Sequence, residues 1–541
     1  MPSLDPRAKL ETHEVINQPE ARGDLNLWLE DPILQHYGSI MGADVGDLES
    51  HGGKLGLEET RRAGRDANRF LPELTVFDAS GRRIDEVIFH PAYHQLMDIG
   101  IGAGYIARPW EKEPGGHATH AGFVHMTAQV EPGVCCPMTM SYAVVPALAQ
   151  NTKISAEWTP RLLSRIYDKS SRPAGKKAGA TIGMAMTEKQ GGSDVRSNTT
   201  VAIPDSDGYR LRGHKWFCSA PMCDAFLTLA QAPGGLTCLL VPRWTPDGAR
   251  NTIHLMRLKD KLGNRANASS EIEYHDAFAL GLGDEGNGIK TIVEMVHHTR
   301  LDTAMAPAGL MRAALSEAHW WVQGRTAFQR RLIDQPLMQS VLADMVVEYE
   351  ATTALGLRVA NAFDGDTQED KAFSRIAVSL AKFISNKRCP NFIYEAMECL
   401  GGNGYVEESP LPLLYREAPL NSIWEGSGNV ICLDILRTLS REPLARETLF
   451  AEFRAASGSN AIYDSAVQTF KNRWPESPVE AEARWFVERL AILLQGSILL
   501  RHAPDFVSDI FVATRVGRDK GDVLGAIAIG DARALVDRIR R

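Results

Sequence analysis

AMTEKQGGSDVRS, Ala185 to Ser197, is the stretch on which the fold of this chain turns. It crowds hydroxyls (Thr187 and Ser193 among them), two glycines (Gly191, Gly192) and two acids (Glu188, Asp194) into one turn-forming segment. Such a loop presents hydroxyls and free backbone amides, which suit polar ring atoms and phosphates; an ordinary Ser/Gly/Asp loop is the plain alternative. Its surroundings change texture at about Thr181. Short β-type runs follow, GYRLRGHKWF, AFLTLAQA, LTCLLVP and NTIHLMRL, separated by the turn signals PDSDG, APGG and TPDG. They predict a small antiparallel β domain that ends near the Asp284–Gly286 turn and is too short to be the whole fold.

Outward from it, the apolar spacing is helical on both sides. DPILQHYGSIM, EETRRAGRDANRFL and MTAQVEPGV read as helices or helix ends before the β domain, and VLADMVVEYEATTALGLRVANAF and AVSLAKFISNKR as long amphipathic helices after it. GIGAG, Gly100 to Gly104, looks like a dinucleotide turn but follows a helical pattern rather than a strand, so it reads as close helix packing. The expected architecture is α+β, mostly α. It runs as an N-terminal helical domain (1–180), a middle antiparallel β-barrel or sandwich (181–290), a C-terminal four-helix bundle (291–440) and an additional helical domain (441–541).

With 541 residues the chain exceeds one hydrophobic core, and length alone suggests roughly three or four domains. A net charge of −8 gives no global reason to expect nucleic acid. Residues 441–541 carry 15 Lys/Arg against 14 Asp/Glu, so the acidity sits in the body of the chain. The eight cysteines include no CxxC pair and no Cys/His cluster at zinc spacing, so no metal site is expected and reduced thiols in a cytoplasmic protein are the simplest reading. MPSLDPRAKLETHE carries charges where a signal peptide needs an apolar core, and the apolar run Ala491 to Leu500 is too short to span a bilayer.

NSIWEGSGN, Asn421 to Asn429, sets a lone carboxylate, Glu425, between Trp424 and the small residues Gly426, Ser427 and Gly428. Small residues let backbone approach a flat ligand, and a carboxylate beside an indole is partly desolvated, which raises its pKa towards that of a useful base. Alone, the stretch reads more readily as a Gly-rich helix cap with an exposed acid.

The order of these segments resembles the acyl-CoA dehydrogenase family. AMTEKQGGSDVRS looks like its flavin-binding signature, and GHKWFCS (Gly213 to Ser219) like the strand against the isoalloxazine, with Phe217 where most members carry Trp and Ser219 where they carry Thr. KLGNRANAS (Lys261 to Ser269) resembles the strand and turn that follow. RTAFQ (Arg325 to Gln329) resembles the Arg-x-x-Phe-Gly element that reaches a neighbouring subunit's flavin diphosphate, with Gln329 in place of the glycine. LGGNGYVEES (Leu400 to Ser409), Arg416-Glu417 and NSIWEGSGN complete the set. The resemblance covers roughly 100–440. The finer wording, the extended N-terminus and the hundred or so residues after the base segment look like the AidB-type branch, of the adaptive response to alkylation.

That resemblance implies an FAD-binding homotetramer. It carries cofactor contacts onto Met184, Ala185, Met186, Thr187, Gly191, Gly192, Ser193, Phe217, Cys218, Ser219, Arg325, Phe328, Gly401, Gly402, Ile423, Trp424, Gly426, Ser427, Gly428 and Asn429. It implies Glu425 as the catalytic base that takes an α-proton while a hydride leaves the β-carbon, with neighbouring amides and a ribityl hydroxyl holding the thioester carbonyl. Members that carry the base on an earlier helix place it before an arginine matching Arg300; here Thr299 stands there. His297 and Arg300 would lie along the CoA tract, or form a helix surface pair. A short or branched acyl-CoA is the expected substrate. Two alternatives remain open: an FAD-dependent oxidase or detoxifier of small alkylating or nitro compounds, and a protective flavoprotein that binds double-stranded DNA. Nitroalkane-oxidising members carry Asp at the Glu425 position. For DNA the chain offers Arg437, Arg441, Arg515, Arg518, Lys520 and Arg538 to Arg541, unless these are solvated helix faces.

Overall fold

A computed structural model describes residues 6–528 and 530–539. The first five residues of the charged N-terminus, and Arg540 and Arg541 of the closing arginine run, lie outside the described residues.

Before the barrel come α1 (Pro32–Ile40), α2 (Val45–Gly56), α3 (Glu58–Arg69), α4 (Pro91–Ala103), α5 (Gly116–Val130), α6 (Cys135–Ala143), α7 (Val145–Leu148) and α8 (Thr152–Leu162). Side-chain caps start several of them, Asp31 for α1, Asp44 for α2 and Asn151 for α8. GIGAG closes α4: Gly104 is the left-handed C-cap, and a Cβ on Gly100 would collide with Met138 of α6. It is close helix packing. One pair of strands departs from the all-helical expectation here, β1 (Glu73–Phe77) with β2 (Arg83–Ile88), antiparallel around the DASG turn. ELTVF and RIDEVI are short and charge-interrupted, and they hold as a ribbon by packing β1 beside a barrel strand.

The barrel consists of β3 (Ile182–Ala185), β4 (Val201–Asp205), β5 (Gly208–Ser219), β6 (Ala225–Ala232), β7 (Gly235–Pro242), β8 (Ile253–Leu258) and β9 (Ser269–Leu282). Its order is β3-β6-β4-β5-β9-β7, with β6 also pairing β7 so that the sheet closes, and β8 added to β9. Most pairings are antiparallel as expected, but β3 and β4 each run parallel to β6. That is possible because long connections, not hairpins, deliver both strands to β6.

After the barrel, α9 (Gly288–Gly324), α10 (Pro336–Phe363) and α11 (Gln368–Leu400) pack on one another, and α5 lies against α9. α12 (Leu411–Glu417) leads to the base segment and then to α13 (Gly428–Arg441), which lies along α11. α14 (Pro443–Ala455), α15 (Ala461–Arg473), α16 (Ala483–His502), α17 (Asp505–Phe511) and α18 (Ala532–Val536) follow, with a π-helical turn at Val512–Val516. This last part is fastened to α10 by buried charge. Arg515 pairs with Asp344 and Glu348, and Arg538 with Glu350 at 2.6 Å. All eight cysteines are buried and free, and no helix among the described residues is long and apolar enough to cross a membrane.

Candidate active site

Glu425 sits where the chain turns between α12 and α13, and its own backbone is left-handed (φ 57°), followed by Gly426 at φ 99°. A non-glycine residue in that region costs on the order of 1 kcal/mol, so the surroundings must hold it. They do so from three sides. Thr299 of α9 donates to Glu425 Oε2 at 2.7 Å, Arg300 Nε donates to the Glu425 carbonyl at 3.2 Å, and Lys382 Nζ of α11 donates to the Gly426 carbonyl at 2.7 Å. Arg300 is itself clamped by Asp434 of α13 (2.6 Å), which also receives Arg375 (2.8 Å).

The carboxylate is only partly exposed. Burial raises its pKa above the usual carboxylate range, opposed by the Thr299 hydroxyl and by the Lys382 and Arg300 charges; Asp302 adds to the rise. A base needs just this, a proton affinity lifted towards neutrality in a group still able to ionise. Oε1 carries no hydrogen bond among the described residues and is the oxygen free to act.

The other expected site residues gather around this turn or stand apart from it. Trp424 is tied by its indole N–H to Asn421 (2.7 Å), while Ile423 is exposed. Ser427 is the N-cap of α13 without a side-chain cap bond, so the first amides of that helix, at Gly428 and Asn429, are open to an anion. Met184 and Ala185 end β3, and Met186 and Thr187 begin the loop; the Thr187 carbonyl accepts from Trp216 N at 2.7 Å, binding the loop to β5. Gly192 lies so close to the Thr187 side chain that any Cβ would clash, and Gly191 has φ 139°. Ser193 is exposed. On β5 a bulge sets Trp216 and Phe217 opposite the single residue Glu271, which turns the Phe217 ring outward, 47 % exposed.

Two motif residues turn their side chains inward. Glu188 is not presented to a ligand. It is fully buried, pairs with Lys215 at 2.8 Å, and accepts from Thr199 N at 2.7 Å and Thr200 N at 3.1 Å. It is the internal staple that shapes the loop. Cys218, expected with Phe217 and Ser219 at the cofactor, has its thiol buried in the barrel because side chains alternate along a strand. Only its backbone remains for a ligand.

His297 and Arg300 are both engaged within the fold. His297 stacks on Phe363 (centroids 4.5 Å apart), and burial with the adjacent His298 pushes its pKa well below normal. Arg300 is spent on Asp434 and the base turn. Neither is a surface pair. His298 is likewise held down, to about 3, by burial and His117, and it packs with Trp110, His117 and Tyr142 beneath the same stretch of α9.

Arg325 and Phe328 lie on a tight hairpin in which Thr326 pairs Arg331 and Ala327 pairs Arg330. Phe328 and Gln329 both have positive φ (52° and 64°), and Phe328 is 94 % exposed. Gln329 takes at a cost the conformation that glycine adopts freely. Arg325 stacks over Trp321 and donates to the Asn17 carbonyl. Gly401 and Gly402 have open space around them, Gly401 at φ 63°. Of the arginines offered to DNA, Arg437, Arg441 and Arg518 are exposed, whereas Arg515 is removed by its buried ion pairs and Arg538 by Glu350.

The sequence reading missed Lys382 and the constructive part of Thr299, 126 positions from its carboxylate. The available signal was a lysine inside the apolar stripe of AVSLAKFISNKR. A cavity of about 640 Å³ lies elsewhere, between the 21–30 segment, α3 and the far half of α9.

Residues 17–169 match the adaptive response protein AidB N-terminal domain, 183–277 the acyl-CoA dehydrogenase middle domain and 286–440 the acyl-CoA dehydrogenase C-terminal domain. The chain is 45 % identical to the putative acyl-CoA dehydrogenase AidB of Escherichia coli (strain K12) over 91 % of its own length and 92 % of that protein. Its fold superposes on Caenorhabditis elegans ACDH-11 in complex with C11-CoA with a TM-score of 0.83, at 28 % identity, covering 95 % of this chain and 93 % of the other. An acyl-CoA dehydrogenase from Bacillus anthracis complexed with FAD shares the fold at TM-score 0.64 and 16 % identity, covering 83 % of this chain and 86 % of that one. The side chains suit a flavin: an outward aromatic at Phe217, hydroxyls at Thr187, Ser193 and Ser219, and glycine contours where a Cβ would intrude. This chain belongs to the acyl-CoA dehydrogenase family, in its AidB-type branch, and is an FAD-dependent oxidoreductase of the acyl-CoA dehydrogenase type.

Proposed function

We propose that the protein dehydrogenates a short or branched acyl-CoA with Glu425 as the base. The observation that carries this is the strained, half-buried Glu425 carboxylate with one oxygen held by Thr299 and the other free. Glu425 Oε1 takes the α-proton; the raised proton affinity shortens the gap to the weakly acidic α-C–H. Thr299 keeps the carboxylate aimed, and Arg300 and Lys382 hold the two successive carbonyls of Glu425 and Gly426. FAD, when bound, supplies the hydride acceptor. Met184 to Thr187, Gly191 to Ser193, Phe217 and Ser219 would hold its ring, and the α13 amides at Ser427 to Asn429 its polar chain. Arg325, Phe328, Gly401 and Gly402 would serve a neighbouring copy in a homotetramer, for which the exposed Phe328 tip is the supporting feature.

A panel of straight and branched acyl-CoAs and nitroalkanes, mixed anaerobically with the holoprotein, tests this by bleaching of the flavin. Reduction by short or branched thioesters and none by nitroalkanes is expected. Reduction by nitroalkanes alone would overturn it in favour of the detoxifying oxidase.

The link to alkylation damage rests on the AidB-type likeness, and double-stranded DNA is its natural partner. Arg437, Arg441 and Arg518 supply exposed positive charge for phosphates. DNA affinity should be measurable at low salt and fall steeply between about 50 and 200 mM. No binding at low salt excludes this partner.

A further inference from the structure

Lys382 lies on the inward face of α11 and is 1 % exposed. Its ammonium makes one hydrogen bond among the described residues, to the carbonyl of Gly426, the residue after the base. A buried ammonium with a single neutral partner is unfavourable unless a negative charge is close. Burial lowers its pKa to about 7, and Glu425 is the nearby anion that opposes that fall; Arg300 and Lys387 add to it. The remaining ionisable groups facing the pair are Asp302 of α9, which repels the Glu425 charge, and Cys136 of α6. His297 and His298 on the same helix are neutral. Arg300 is matched by Asp434, which Arg375 shares, so Lys382 is the cation whose counter-charge is the base itself.

Resting on the reading of Glu425 as the base, we propose that Lys382 is its positioning residue. The ammonium pins the Gly426 carbonyl so that the chain passes Glu425 in the left-handed conformation. Its charge opposes the rise in proton affinity that burial gives the carboxylate. A neutral side chain here therefore raises the proton affinity of the base further, which the pH dependence of the reaction reads.

The experiment compares Lys382→Gln, which keeps a donor for Gly426 and removes the charge, with Lys382→Arg, which keeps the charge. Both are made in the full FAD-loaded protein. The pH at half-maximal rate of flavin reduction by the best acyl-CoA should rise by about one or more in Lys382→Gln and stay at the parent value in Lys382→Arg. An infrared titration of the Glu425 carboxyl, assigned by its loss in Glu425→Gln, should move in parallel without any turnover. Lys382→Met carries the same expectation if the Gln variant does not fold. Equal titration of parent and neutral variant, or equal shifts in the Gln and Arg variants, overturns the proposal. An infrared shift in a parent that no acyl-CoA reduces leaves the coupling standing and sinks the reading of Glu425 as dehydrogenation base.

Discussion

Glu425→Gln keeps its FAD and its fold but is reduced by short acyl-CoA about 10²–10⁴-fold more slowly than the parent. The amide is nearly isosteric, and its oxygen can still accept from Thr299, so the turn keeps its shape. What vanishes is the ability to take a proton. In the parent, the reduction rate should fall with decreasing pH through the Glu425 pKa, which burial has raised above the usual carboxylate range, because only the ionised form is a base. In the variant that acid limb disappears together with most of the rate. Stopped-flow absorbance under anaerobic conditions reads both. A variant that bleaches as fast as the parent would show that another group takes the proton.

The second large effect lies away from the reacting atoms. Lys215→Met should cost about 3–5 kcal/mol of stability and strip the protein of flavin, because it leaves the Glu188 carboxylate buried without its cation. Burial alone would raise the Glu188 pKa. Hydrogen bonds from Lys215, Thr200 and Thr199 and the Lys215 charge outweigh it, and the group lies well below the ordinary carboxylate range. A depressed carboxylate stabilises the fold fully above its unfolded pKa of about 4.3, and that contribution drains away as pH falls further. Urea unfolding at pH 7 and at pH 4 measures both parts. The paired change Lys215→Met with Glu188→Leu should recover much of the loss, since an apolar pair can replace a buried ion pair. A single variant within 1 kcal/mol of the parent would rule out the staple.

Much of the fold was legible because its signals are local. The alternation in GYRLRGHKWF and LTCLLVP, the turn residues between them, and the long apolar stripes of α10 and α11 depend only on neighbours in the chain. So does Glu425 as a candidate, since Trp424 and the small residues after it are adjacent. The β1–β2 pair escaped notice because ELTVF is held by packing on the barrel rather than by its own pattern. Parallel pairing of β3 and β4 to β6 was equally invisible, since a strand's sequence carries no mark of its partner's direction.

What a side chain does, as opposed to what it is, was decided by the tertiary structure. Glu188 sits in a ligand-binding motif yet turns inward, and only the arrival of Lys215 and the amides of Thr199 and Thr200 makes it a staple. Thr299, useless as a base, becomes the group that aims one. Arg515 reads as surface charge and is buried against Asp344 and Glu348. The family, the order of helices and barrel, and Glu425 as the candidate base were legible in the chain, because those rest on residue types at short spacing. Only the fold decided which distant charges meet Glu425, because electrostatic partners are chosen by proximity in space and by the low dielectric that burial creates.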